Sequence, residues 1–264
     1  MKIHHLNCGD MDLAGTPLIC HVLLLETNDG LVLVDSGLGL QDVQDPARAL
    51  SAYRYICRSK ATEHQTAYRR VQQLGFDPVD VTDILLTHMD GDHAGGIADF
   101  PNATVHLSAS EAEGAFRHPT PWETARYQPR QWDYRPTFKA HRPGNATWKG
   151  FEGVTRLSEI DDGILMVPLL GHTRGHTAYA VRDDANDGWI LHCGDGFYHH
   201  SILEGPENTG SLPLRAQEAA FAFSRPLLMH NQARLRELNL EHEPGLSIIN
   251  AHDPVLFPAD GLLQ

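Results

Sequence analysis

Cysteine is scarce in this sequence, and the cysteines that occur are far apart. They are Cys8, Cys20, Cys57 and Cys193, with no Cys-x-x-Cys pair among them. This spacing excludes the disulfide framework of a small secreted domain and the paired cysteines of a zinc knuckle. The cysteines therefore predict a protein of the reducing cytoplasm.

Basic side chains are also few. The chain has 21 Lys and Arg residues against 34 Asp and Glu residues, which gives a formal net charge of −13. A protein that binds nucleic acid needs a positive surface to neutralise the phosphates. The composition therefore argues against a nucleic-acid partner, and bound cations would offset part of the acidity.

Long apolar segments are missing as well. The sequence has no apolar run of about 18 residues, the length that crosses a bilayer, and residues Met1 to Asn7 lack the apolar core of a signal peptide. We therefore expect no membrane partner and no export. A length of 264 residues suits one compact domain, predicted here to span 1–264.

The most informative stretch is the decapeptide from Thr87 to Gly96, which follows an apolar run. Side chains two residues apart lie on one face of an extended segment, so His88 and Asp90 can meet at one metal ion. Beyond the turn, Asp92 and His93 can reach a second ion. The final Gly-Gly pair lets the backbone pass close to its neighbours. The alternative interpretation is a solvated polar turn that happens to contain histidine.

Three further segments carry the same chemistry and make the polar-turn interpretation unattractive. They are Gly171-His172-Thr173-Arg174-Gly175-His176, Cys193-Gly194-Asp195 and Asn250-Ala251-His252-Asp253. Clusters of His and Asp side chains are typical ligands of divalent metals. The sequence therefore predicts a metal centre whose ligands come from several distant segments.

In order and spacing these motifs resemble those of the metallo-β-lactamase superfamily, whose signature is His-x-His-x-Asp-His followed by Gly-Gly. Asp35, at the end of the run Leu31 to Ser36, matches a further landmark of the superfamily. Asp90 is the one departure, because the signature has His at that place. The resemblance covers most of the chain and implies an α/β fold of the four-layer αββα sandwich type.

The resemblance also implies a centre with two metal ions and a bridging hydroxide. It assigns His88, Asp90 and His172 to one ion, Asp92, His93 and His252 to the other, and Asp195 to both. Two divalent metal ions are therefore the expected cofactors, and zinc is the metal expected before any other. Manganese or iron is the alternative, because the carboxylate of Asp90 is a harder ligand than imidazole.

The residues around these ligands have expected roles too. Asp35 would orient ligands from behind, and His176 is expected to be structural, since the superfamily pattern gives the metal to His172. The candidate catalytic residues are Asp92 and Tyr198. Lactonases of the superfamily place a tyrosine three residues after the bridging aspartate, where its hydroxyl can stabilise developing charge. The alternative for Tyr198 is a half-buried aromatic on a loop.

Residues 116–150 contain many prolines interleaved with aromatic side chains, among them Trp122, Trp132 and Trp148. Prolines prevent a long helix or strand, while so many aromatic side chains are expected to pack against the protein and not to stay exposed to water. We predict an ordered lid over the site. The equally weighted alternative is that these aromatics attach an irregular loop to the core.

The remaining chain gives a coarse secondary structure. Apolar runs predict strands at 19–27, 31–36, 103–107, 164–169, 188–192 and 246–249, and helical spacing predicts helices at 63–74, 215–223 and 226–240. A hairpin turn is expected at Asn28-Asp29-Gly30 and a helix capping box at Ser108 and Glu111. The segment from Leu38 to Thr62, with Tyr53 and Tyr55, would line the site or contact a second subunit.

The overall layout looks most like the branch of the superfamily that includes N-acyl homoserine lactonases. It implies a metal-dependent hydrolase of a small ester or lactone, with a homodimer as one possible assembly. A phosphodiesterase is a rival, although it would need a basic pocket. Diiron oxygen or nitric-oxide chemistry is a second rival, suggested by Asp90, but the sequence offers no flavin-binding domain. The third is a catalytically silent member that only binds its ligand.

Overall fold

The computed structural model describes residues 1–50, 55–205, 210–259 and 261, so Tyr53 lies outside the described residues. Seven described strands form the first sheet. They are β1 (Lys2–Leu13), β2 (Thr16–Glu26), β3 (Leu31–Val34), β4 (Cys57–Ser59), β5 (Val81–Leu85), β6 (Thr104–Ser108) and β7 (Thr137–His141). Their order is β4-β1-β2-β3-β5-β6-β7, antiparallel from β4 to β3 and parallel from β3 to β7. The predicted hairpin turn joins β2 to β3, with the Thr27 amide donating to the Gly30 carbonyl over 3.0 Å.

Six described strands form the second sheet, in the order β13-β12-β11-β10-β9-β8. They are β8 (Ala146–Trp148), β9 (Phe151–Arg156), β10 (Ile164–Pro168), β11 (Thr177–Asp183), β12 (Gly188–His192) and β13 (Leu246–Ile249). Neighbouring strands from β8 to β12 are antiparallel, while β12 and β13 are parallel. The last two strands therefore end at the same edge of the sheet.

Helices cover the outer faces of the sheets or lie in the loops between strands. The described α-helices are α1 (Leu40–Gln44), α2 (Pro46–Leu50), α3 (Ala67–Gln73), α4 (Gly91–Ala94), α5 (Ala109–Ala112), α6 (Pro121–Arg126), α7 (Ser201–Glu204), α8 (Leu212–Phe221) and α9 (Arg225–Leu240). None of the described helices is long and apolar enough to cross a membrane.

Side chains of the central strands alternate between two buried environments. In β2, Leu23 and Leu25 pack against Tyr179 of the second sheet, while Leu24 belongs to the core under α3. The outer face of the second sheet packs against α9 through Leu235. Because both faces of each sheet are covered, the central strands carry continuous apolar stretches, such as Val22 to Leu25 in β2. The resulting layers are helix, sheet, sheet and helix, which confirms the predicted αββα sandwich.

Several elements differ from the sequence prediction. The polar β1 was not predicted, because His and Asp side chains interrupt its apolar pattern. The predicted helix at 63–74 is split, since Thr66 caps α3 by accepting from the Arg69 amide. Within residues 116–150 the structure has α6 and a 3₁₀ turn at Pro129–Gln131, but 137–141 and 146–148 form β7 and β8 instead of lid. Prolines had obscured two short strands at the edges of the sheets.

Candidate metal centre

The seven residues predicted as ligands all lie in segments that follow the carboxyl ends of β5, β10, β12 and β13. Asp92 and His93 lie in the short helix α4, and the other five lie on loops. The structure brings the seven together in two groups: His88, Asp90, His172 and Asp195, and Asp92, His93 and His252. In each group the ligand atoms lie within 4.8 Å of one another. These groups are called the first and the second group below.

The first group surrounds the Oδ2 atom of Asp90. This atom lies 3.2 Å from the Nε2 atom of His88 and 3.2 Å from the Nε2 atom of His172. Oδ2 of Asp195 lies 3.1 Å from the Nε2 atom of His172 and 3.8 Å from that of His88. Four donor atoms thus converge from three loops.

The second group adjoins the other oxygen of Asp195. Oδ1 of Asp195 is 3.2 Å from the Nε2 atom of His93 and 3.1 Å from the Nε2 atom of His252. Oδ2 of Asp92 is 3.6 Å from the same nitrogen of His252. Asp195 therefore presents one oxygen to each group.

Three of the four imidazole rings, those of His88, His93 and His252, are fixed by contacts on the side away from the centre. The Nδ1 atom of His93 lies 2.9 Å from Asp35, and that of His252 lies 2.8 Å from the carbonyl oxygen of Ile19. Nδ1 of His88 is 2.9 Å from the hydroxyl of Thr87. These contacts leave each Nε2 atom facing the centre, as in metal sites whose ligands are oriented by outer hydrogen bonds.

Asp35 reaches this position from an unusual backbone. Its φ is +59°, in the left-handed region that few residues other than glycine adopt. The turn directs its carboxylate to the Thr87 amide at 2.7 Å. The predicted close passage of the Gly-Gly pair is also present, because a Cβ at Gly96 would lie 2.4 Å from the carbonyl oxygen of Ser36.

Two buried polar atoms show that the second group suits a cation. His93 Nε2 and Asp195 Oδ1 are buried and make no hydrogen bond, although they lie 3.2 Å apart. A buried polar atom without a partner is costly, and a shared metal ion would satisfy both. Burial lowers the pKa of His252, but Asp195 and Asp92 outweigh it and raise the pKa to about 9. The surroundings therefore favour positive charge, and imidazole with carboxylate is a donor set for zinc, manganese or iron.

Arg126, at the end of α6, enters the first group and was missed by sequence reasoning. Its Nε and Nη2 atoms donate to the two oxygens of Asp90, each over 2.6 Å. Nη1 donates to the carbonyl oxygens of His172 at 3.0 Å and Phe221 at 2.6 Å. Nη2 also lies 2.6 Å from Nε2 of His172. Burial opposes ionisation of Asp90, yet Arg126 and the histidines outweigh it and hold the pKa of Asp90 well below its usual range.

Glu111 is a second residue whose role was missed. Its buried carboxylate accepts from the Met89 amide at 2.9 Å, the Thr173 hydroxyl at 2.7 Å and the Gly175 amide at 3.0 Å. It also accepts from the Tyr127 hydroxyl at 2.9 Å. Only half of the predicted capping box is present: the hydroxyl of Ser108 accepts from the Glu111 amide, and the carboxylate instead joins the loops that carry His88 and His172.

His176 contacts the backbone through both ring nitrogens. Nδ1 lies 2.9 Å from the carbonyl oxygen of Leu169, and Nε2 accepts from the Asp195 amide over 3.0 Å. Because both nitrogens have partners, the ring holds the backbone at Asp195 and does not face the centre. This arrangement agrees with the structural role expected for His176.

A pocket with a cavity volume of about 130 Å³ opens over the centre. Asp90, Asp92, Asp195 and His252 lie at its base. Its walls include Leu18, Leu50, Trp122, Tyr198 and Phe221. The Tyr198 ring lies between the histidines of the two groups, with its centroid 5.8 Å from that of His172 and 5.6 Å from that of His252. The pocket is thus apolar above and acidic below.

Several other aromatic and histidine side chains lie away from the pocket. Trp132 packs on the first sheet's core, and its ring centroid is 5.7 Å from that of Phe116. His199 and His200 stack on each other at 4.2 Å, and neither lines the pocket. His106 is buried and pairs with Asp83 at 2.8 Å. The structure therefore separates Trp122, which lines the pocket, from Trp132, which does not.

The sequence profile described as the metallo-beta-lactamase superfamily matches residues 15–241 of this chain. The chain belongs to the metallo-beta-lactamase superfamily. A relative from Mycobacterium tuberculosis, named a probable metallo-hydrolase, is 47% identical over 97% of this chain and 82% of its own length. This identity places the two chains in the same superfamily independently of the profile.

Lactonases are among the other proteins to which this chain is similar. An N-acyl homoserine lactonase from a Bacillus species is 25% identical over 88% of this chain and 80% of its own length. A solved N-acyl homoserine lactone hydrolase, with the product N-hexanoyl-L-homoserine at its catalytic metal center, has a TM-score of 0.73 and 21% identity. That match covers 99% of this chain and 97% of the other. At this identity the structural match shows a shared fold.

Proposed function

We propose that this chain is a metal-dependent hydrolase that opens a small ester or lactone. The observation that carries the proposal is the placement of Asp195, which presents one carboxylate oxygen to each of two His and Asp groups beneath an apolar pocket. Similarity to N-acyl homoserine lactonases supports a lactone as the substrate class.

Two divalent ions, zinc first, would be held by the two groups. His88, Asp90 and His172 would hold one ion, Asp92, His93 and His252 the other, and Asp195 both. Such ions lower the pKa of a bound water and polarise a carbonyl oxygen. The protein's own part is to keep the ligands aimed at the centre, and Thr87, Asp35 and the Ile19 carbonyl do this for His88, His93 and His252 through their outer ring nitrogens.

Two side chains of the pocket are proposed to act on the substrate. Asp92 is half-buried and lies at the pocket base, so its carboxylate can orient the attacking water, take a proton from it and pass that proton to the leaving oxygen. The phenol of Tyr198, on the pocket wall, can donate a hydrogen bond to the ester oxygen as charge develops there. Neither role requires a side-chain nucleophile.

The pocket supports a small, uncharged substrate. Its volume of about 130 Å³ is close to the roughly 150 Å³ cavity that holds one benzene molecule. The walls formed by Leu18, Trp122 and Phe221 suit an acyl chain or ring. Arg126 is the one Lys or Arg side chain among the described residues that line the pocket, and its donors already have partners. Apart from the metal ions, a phosphodiester would find no Lys or Arg side chain free to neutralise it.

The test is a substrate panel on zinc-loaded protein, comparing N-hexanoyl homoserine lactone, γ-lactones, aryl esters and bis(p-nitrophenyl) phosphate. We expect turnover of a lactone or ester, lost on chelation and restored by zinc. A His199→Ala variant, altered outside the pocket, should retain the wild-type rate. Turnover of the phosphodiester alone, or tight retention of a lactone with no turnover of any substrate, would contradict the proposal.

A further inference from the structure

The two ligand groups are not equivalent in this structure. In the second group, His93 Nε2 and the adjoining Asp195 Oδ1 are buried without a hydrogen-bond partner. In the first group, Asp90 and His172 already contact the guanidinium of Arg126, at 2.6 Å in each case. The first group thus already contacts an arginine from outside the group, and the second group has buried polar atoms that no such side chain satisfies.

The contact between Arg126 and His172 bears directly on metal binding. An imidazole nitrogen has a single lone pair in the ring plane, which either accepts a hydrogen bond or binds a metal ion. Nε2 of His172 lies 2.6 Å from Nη2 of Arg126, and its other ring nitrogen, Nδ1, is buried without a partner. An ion can use His172 only when this hydrogen bond is lost.

Arg126 is held too firmly to leave the site freely. Its side chain is 3% exposed, and its N–H groups contact Asp90, His172 and the carbonyl oxygen of Phe221. The helix α6 is anchored a second time by Glu123, which accepts from Nε and Nη2 of Arg174 at 2.9 and 2.6 Å. The positive charge therefore stays beside the first group even after an ion has entered, and like charges at this distance repel.

We propose that Arg126 is a built-in cation that competes with the divalent ion of the first group. The second group then binds its ion tightly, and the first group fills only at higher metal concentration, with loss of the Arg126 to His172 hydrogen bond. Arg126 thereby sets the metal content of the protein. This inference rests on the proposed function, since it takes the two groups to be metal sites.

The test is a zinc titration of the full-length chain after dialysis against a chelator. Calorimetry measures the affinities, and elemental analysis measures the zinc content. In wild type we expect two affinities that differ by at least about tenfold, because the guanidinium repels only the first-group ion. His172→Ala should abolish the weak zinc-binding event, which belongs to the first group. His252→Ala should abolish the tight zinc-binding event, which belongs to the second group. Equal affinities in wild type would overturn the proposal.

Arg126→Met, which keeps much of the side chain's length without charge, should strengthen the weak event at least about tenfold, so that the two affinities converge. The matched control is Arg174→Met, which removes the other anchor of α6 without touching either group and should keep the wild-type difference. If Arg126→Met weakens the first-group ion, or Arg174→Met has the same effect as Arg126→Met, the proposal is wrong.

Arg126→Lys covers the case in which the methionine variant does not fold. Lysine keeps the charge but lacks the planar fork that contacts Asp90 and His172 together. We expect an affinity difference smaller than in wild type, and an unchanged difference would contradict competition at His172. Failure of wild type to bind any zinc would instead overturn the proposed function, so the two failures are distinguishable.

Discussion

Asp90 replaces the second histidine of the superfamily motif, and the charge it adds is not isolated. A carboxylate at this position would make the first group more negative than an imidazole does. Arg126 cancels that charge through two 2.6 Å contacts. The sequence showed the carboxylate but not its counter-ion, because Arg126 lies 36 residues further along the chain. Asp90 and Arg126 are therefore best regarded as one pair.

The pair makes a prediction for stability. In metal-free protein, Asp90→Ala should lower the free energy of unfolding by about 3 kcal/mol, since it leaves a buried guanidinium without its carboxylate. The double variant Asp90→Ala with Arg126→Met should lose less than the sum of the single variants. Urea denaturation of the four proteins measures this coupling. Strictly additive losses would show that the two side chains do not stabilise each other.

Asp42 predicts a dependence of stability on pH away from the centre. Burial raises its pKa to about 7, and hydrogen bonds from Gly39 and Gln131 only partly oppose the shift. The folded protein then keeps a proton that the unfolded chain loses near pH 4, so this group makes stability fall as pH rises from about 4 to 7. Asp42→Asn should remove that part of the slope in denaturation at several pH values. The exposed-turn variant Asp29→Asn should keep the slope, and an unchanged slope in Asp42→Asn would refute the assignment.

At the scale of elements, Glu111 on α5 joins two loops that carry ligands. Each carboxylate oxygen accepts two donors: Met89 and Tyr127 on one, Thr173 and Gly175 on the other. Glu111→Gln must turn its amide nitrogen toward two of these donors, which costs about 1–3 kcal/mol. We expect a lower melting temperature and weaker zinc binding. Glu113→Gln, nearby but solvent-facing, is the control, and equal effects of the two variants would argue against this role.

Residues 116–150, which were predicted from the sequence to form a single aromatic lid, contain tryptophans with different roles. Trp122 on α6 is 45% exposed and lines the pocket, whereas Trp132 packs against Phe116 and the core. Trp122→Ala should therefore raise KM for apolar substrates several-fold with little change in melting temperature. Trp132→Ala should lower the melting temperature and leave KM nearly unchanged. The reverse pattern in steady-state kinetics and thermal melts would contradict this division.

At the scale of the whole molecule, the sandwich gathers the ligand loops because their strands end at one place. The structure brings these residues together, as the motifs indicated, because each motif is short and follows an apolar strand whose end fixes its position; their role as metal ligands stays a prediction. Arg126 and Glu111 could not be predicted in the same way. The partners that the two side chains hold lie 16 to 95 residues away, in contacts that exist only after the loops have closed. The sequence pattern therefore predicts where the strands end. It does not predict which side chains contact the ligands, because those contacts depend on how the loops fold.

The central claim is that Asp195 is shared by two metal ions, and its most direct test is the zinc content of Asp195→Ala at saturating zinc. The backbone of Asp195 is held by His176, so removing the side chain should leave its loop in place. We predict about two zinc ions per chain in wild type and fewer than one in the variant, because both groups lose an oxygen ligand. A variant that still binds two zinc ions with wild-type affinity would contradict the account.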